Sequence, residues 1–205
     1  MQIAYLAVDC IPHDRRRAMT VRRILCALAT LSLLMPLAAA AQEQPLVDRV
    51  EGPVIDGFGA TYPMESLDVP VPTDQPYRLL FDISTSPDAP DALNSQLNTV
   101  ARFLNMHARA GVPPAQMQLA VVLHGTAGKY ALNRAAYRAH HDAENTNLAL
   151  LEALHAAGVD LYLCGQTAMH RGLPPDDLSP DVKVALSAMT IIASLSTDGY
   201  TVIAW

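Results

Sequence analysis

The sequence predicts an α/β protein: three α/β/α layers around a mostly parallel sheet of about five strands. Two observations lead there. Short apolar runs of strand length alternate with longer helical segments, and no hairpin signal joins any pair of runs. Four of the runs start near residues 77, 117, 159 and 200, a spacing suited to crossover connections between parallel strands.

The first strand is "YRLLFDI", 77–83, an apolar run fit for burial. A helix follows, because Leu93, Leu97, Val100, Ala101, Leu104 and Ala108 repeat on one helical face. Asp88, with Asp91 three residues on, is its expected N-cap, and Gly111 its stop. The second strand is "MQLAVVLHG", 117–125. The next helix, 145–158, is capped by Asn145 or Asn147 and ends at Gly158. "VDLYLC", 159–164, is the third strand. Val182, Val184 and Leu186 alternate with Lys183 and Ala185, which predicts a fourth strand. A short helix over 188–196 and the turn Asp198-Gly199 lead to the last strand, "YTVIAW".

Ahead of this domain (77–205) lie two other regions. Residues 1–41 read as a signal peptide, with Met19 as an alternative start: Arg22 and Arg23, an apolar stretch from Ile24 to Leu37, and small residues at 38–41. The apolar stretch is shorter than the roughly 20 residues of a membrane span, so no stable membrane anchor is expected. A periplasmic or secreted location follows. Residues 42–76 carry six prolines, which forbid a long helix or a central strand. They read as an extended arm on the domain or on a neighbour, or as a disordered linker.

Without the five arginines and two aspartates before Gln42, the chain holds 9 Lys+Arg against 18 Asp+Glu, a formal net charge of −9. That excess disfavours nucleic acid and anionic membrane as partners. Cys10 and Cys26 fall in the signal peptide, so Cys164 is left alone and has no internal disulfide partner.

Chemistry is expected beyond the carboxyl ends of parallel strands. The second strand ends at His124-Gly125 and the third at Cys164-Gly165. A thiolate is favoured by helix N-termini and positive charge. If "GQTAMH" opens a helical turn, the N–H groups of Gly165, Gln166 and Thr167 point toward the sulfur, and His170 and Arg171 add positive potential. Gly165 also leaves room for a substrate. Cys164 is thus a reactive thiol or a small buried apolar group. His124 is its base or hydrogen-bond partner, or a histidine satisfied by backbone. A mixed metal site of His124, Cys164 and His170 is chemically acceptable but lacks the usual ligand spacing. His140 and His141, with Asp142 and Glu144, read as a solvated polar loop. "HGTAGK", 124–129, lacks the spacing of a phosphate loop, which leaves Lys129 as a loop or lid residue. No cofactor is expected.

In order and spacing, "HG" at 124–125, "NTNLALLEALHAAGV", "CGQTAMHRG", "VKVALSAMTIIASL" and "DGYTVIAW" resemble the DsrE/DsrF-like family. The resemblance covers residues 77–205. It implies a five-stranded parallel α/β/α domain assembled as a homo-oligomer, a trimer or hexamer. It also implies a sulfur carrier or sulfurtransferase, with Cys164 taking sulfane sulfur from a donor and passing it to an acceptor thiol. Two other readings stand beside it: an oligomeric module that binds a small ligand or a protein segment without catalysis, and a metal-binding protein.

Overall fold

The computed structural model describes residues 47–205. The signal-peptide reading of 1–41 lies outside them. Five strands form one parallel sheet in the order β4-β3-β2-β1-β5: β1 Tyr77–Ile83, β2 Met117–Leu123, β3 Asp160–Cys164, β4 Val182–Ala185 and β5 Thr201–Ala204. Five α-helices connect them: α1 Ser95–Arg109, α2 Arg134–His141, α3 Thr146–Ala156, α4 Gly165–Arg171 and α5 Ala188–Thr197. The fold class is the one expected.

Side-chain alternation gives the sheet two apolar faces. Phe81, Ile83, Leu119, Val121, Leu123, Leu161 and Leu163 lie in one core with Leu97, Val100 and Leu104 of α1 and Leu150, Leu151 and Leu154 of α3. Each fully buried leucine there contributes about 1.5–3 kcal/mol. Leu80, Ala120, Val122 and Cys164 lie on the other face, covered by α5 through Ala188, with Ile191, Ile192 and Leu195 half-buried. The second layer is thin, and several of its apolar side chains reach solvent.

Two expectations about local structure are corrected. The N-cap of α1 is Asn94, whose Oδ1 accepts the N–H groups of Gln96 and Leu97. Asp88 lies in the irregular stretch before it, where Pro90 turns Ala89 away from helical geometry. His140 and His141 are not in a loop: they form the last turn of α2, which Asn133 caps by accepting the Ala136 N–H. That helix follows a 3-10 segment, Gly125–Ala131, whose Tyr130 and Ala131 are buried. Helical periodicity is hard to see across two such short elements.

Buried asparagines tie the loops together. Asn145 caps α3, while Asn147, fully buried, accepts the Asn94 N–H and donates to the Ala92 carbonyl. The proline-rich arm lies against α1. Val50 pairs with Thr61, Ile55 is buried, and the Asn105 side chain bonds the arm's backbone at Val54, Ile55, Phe58 and Gly59. Among the described residues no helix is long and apolar enough to cross a membrane.

Candidate functional site

The chain connectivity itself opens a crevice. After β3, α4 packs into the larger core through Ala168. After β4, α5 covers the opposite face through Ala188. Connections that leave neighbouring strands toward opposite faces create the opening where parallel sheets bind ligands. Cys164 ends β3 at this point, paired with Ala185 of β4.

Two helix starts converge on the sulfur. Burial pushes the Cys164 thiol up. Donors from the Thr167 backbone and hydroxyl, and from the Ala188 and Gln166 backbone, more than offset this and hold it below the usual thiol value. Gln166 and Thr167 belong to the first turn of α4, and Ala188 begins α5. The Thr167 hydroxyl also accepts the Gly125 N–H at 3.2 Å, which leaves its own hydrogen free for the sulfur. A chain of donors thus runs from the His124-Gly125 corner to Cys164.

The glycines serve this corner. Gly125 has φ +53°, and a Cβ there would meet the Ser84 carbonyl oxygen at 2.4 Å. A Cβ on Gly128 would press on Thr167 at 2.6 Å. At Gly165 a Cβ would lie 2.6 Å from the Ala185 carbonyl oxygen, so this glycine answers to close packing of α4 on β4. The Gln166 side chain donates to the Leu186 carbonyl and spans the same gap.

His124 pairs with Asp82 of β1: Nε2 lies 2.7 Å from Oδ1. Asp82 was not singled out from the sequence, although a carboxylate inside the otherwise apolar end of "YRLLFDI" is the signal that marks it. His170 and Arg171 occupy the last turn of α4, at the opposite end of that helix from Cys164, and are exposed. Arg171 acts on Lys129, whose amine is held low by burial and then by that neighbouring charge. Among the described residues no three His, Cys, Asp or Glu side chains gather as a metal site.

Large apolar side chains stand exposed on the elements around Cys164. Met169 of α4 is 83% exposed, Leu186 after β4 73%, and Met189 of α5 76%. A separate cleft of about 300 Å³ lies between the arm and the end of α1, lined by Tyr62, Met64, Leu67, Met106 and His107. It sits toward the amino ends of the strands, away from the crevice, and no thiol lines it. The crevice is therefore the better candidate for chemistry.

A family model described as the DsrE/DsrF-like family matches residues 78–205. No curated protein matches the chain. Among solved structures, the protein of unknown function MTH1491 from Methanobacterium thermoautotrophicum is similar at 22% identity, over 63% of this chain and 99% of its own, with a TM-score of 0.47. The ychN protein from E. coli is similar at 17% identity over the same shares, 63% and 99%, with a TM-score of 0.46.

Proposed function

The chain belongs to the DsrE/DsrF-like family, which is associated with sulfur relay, and from that membership we propose that it is an exported sulfur carrier using Cys164. The supporting observation is the place of Cys164, at the start of α4 and packed against Ala188 at the start of α5, where nearby backbone and hydroxyl donors hold its thiol below the usual value. That thiolate attacks the outer sulfur of a donor persulfide. The donor's S–S bond breaks, its electron pair leaves on the donor thiolate, and Cys164 becomes a persulfide. An acceptor thiolate then attacks the outer sulfur, and the pair returns to Cys164.

The test is mass spectrometry of the intact protein after incubation with thiosulfate or polysulfide. Wild type should gain sulfur and Cys164→Ser should not. Identical masses for both proteins, with no gain in either, would sink the carrier. The 6% exposure of Cys164 favours one other reading, a binding module in which the thiol merely lines the crevice. Resistance of native Cys164 to alkylation is its mark.

The apolar surface of Met169, Leu186 and Met189 supports self-association at this face. On that reading Leu186→Asp shifts the particle mass toward the monomer in analytical ultracentrifugation. A mass unchanged from wild type counts against this face as the contact.

A further inference from the structure

β1, β2 and β3 are neighbours, and each has an ionisable side chain within one residue of its carboxyl end, on one face of the sheet. Alternation along the strands puts Asp82 with Leu80, His124 with Ala120 and Val122, and Cys164 with Tyr162. Leu80, Ala120, Val122 and Cys164 pack together there. The register pairs Asp82 with Val122 and Leu123 with Leu163, so His124 and Cys164 follow level with one another. The His124 backbone is still extended, and its N–H bonds the Ile83 carbonyl at 3.0 Å. With neighbouring strands about 4.8 Å apart, His124 stands between a carboxylate on one flank and the thiol on the other.

The half-buried Asp82–His124 pair, 2.7 Å apart, also sets the imidazole's hydrogens. An ionised carboxylate only accepts, so Nε2 carries a hydrogen. In the neutral ring the lone pair is then on Nδ1, the nitrogen left free by Asp82.

We propose that Asp82 and His124 form the proton-handling pair of the Cys164 thiol. Asp82 is the positioning residue: it holds the ring in the Nε2–H form. Nδ1 accepts the proton that leaves the sulfur through one bridging water. The step moves one proton from Sγ to Nδ1 and yields a thiolate and an imidazolium, while Asp82 stays ionised beside the new charge. When sulfur is transferred, the same proton passes to the departing donor thiolate. The two halves of the site divide the work. The helix starts stabilise the thiolate, and the pair gives its proton a destination. This deepens the carrier reading and rests on it.

The test combines the ring-nitrogen NMR shifts of His124 with the rate of Cys164 alkylation by iodoacetamide at neutral pH. Both are measured in wild type, Asp82→Ala and the isosteric Asp82→Asn. Wild type should show the Nε2–H tautomer. Both variants should mix or reverse the tautomers and slow alkylation roughly tenfold, the equivalent of about one pKa unit. Unchanged shifts and rates overturn the proposal. A changed tautomer with an unchanged rate overturns it equally, because Asp82 is then only a structural partner. Tautomer and rate effects as expected, in a wild-type protein that takes up no sulfur, support the pair and reject the carrier chemistry alone.

Discussion

Thr167→Val raises the pH midpoint of Cys164 alkylation by roughly one unit and slows the reaction at neutral pH about tenfold. The substitution keeps the shape of the side chain and removes one hydroxyl. That hydroxyl is one of the donors that hold the thiol below its usual value. A hydrogen bond to a charged group contributes about 1.5–3 kcal/mol, and one pKa unit corresponds to about 1.4 kcal/mol. The lower end applies, because the Thr167, Gln166 and Ala188 backbone donors remain. The sign follows from which form loses the partner. The thiolate is destabilised more than the thiol, so the pKa rises and less thiolate is present at neutral pH. The Gly125 N–H also loses its acceptor, which loosens the corner after β2. Alkylation rates measured across pH decide the matter, with Thr167→Ser as the control that keeps the hydroxyl. A midpoint that stays at the wild-type value in Thr167→Val would show that the hydroxyl does not act on the sulfur.

Asn105→Ala destabilises the protein by about 3–5 kcal/mol and frees the arm. The side chain is fully buried on α1. Its Oδ1 accepts the N–H groups of Val54 at 3.1 Å and Ile55 at 2.8 Å. Its Nδ2 donates to the carbonyls of Ile55 at 2.9 Å, Phe58 at 3.0 Å and Gly59 at 3.3 Å. Alanine removes all of these at once and leaves buried backbone groups without partners, each costing about 1–3 kcal/mol. Water entering the gap recovers part of that, hence a loss below the full sum. Urea denaturation reads the stability, and limited proteolysis reads the release of residues 51–60. A loss under about 1 kcal/mol with the arm still protected would rule out Asn105 as its clamp. The Gly59 contact sharpens the expectation. A Cβ there would meet the Ala101 backbone at 2.4 Å, so the arm packs directly on the helix that Asn105 belongs to.

Much of the fold was legible because its signals are local. Buried strands of a parallel sheet read as apolar runs, and "YRLLFDI", "MQLAVVL" and "DLYLC" were found within a residue or two of their observed ends. The stripe of Leu97, Val100 and Leu104 announced α1 by its period. What escaped was the stretch from Gly125 to His141. Its elements are short, and their order depends on Asn133, Asn145 and packing against α3 and α4. The cap of α1 was misplaced for a similar reason. Asp88 and Asn94 are both good caps, and only the loop held by Asn147 decides between them.

For the candidate site the division is sharper. The sequence alone determined that one thiol lies beyond the proposed signal segment, that it follows a buried strand, and that a histidine follows the strand before it. Those facts need only periodicity and position. The tertiary structure decided which groups act on that thiol. Strand order brought Ala188, more than twenty residues away, to the sulfur beside Gln166 and Thr167. It set Asp82 against His124 across forty-two residues of chain. His170 and Arg171, close in sequence, were placed at the far end of a helix that begins at the cysteine. The physical reason is that donors and charges act over a few ångströms in space, and a parallel sheet makes neighbours of strand ends that the chain keeps far apart.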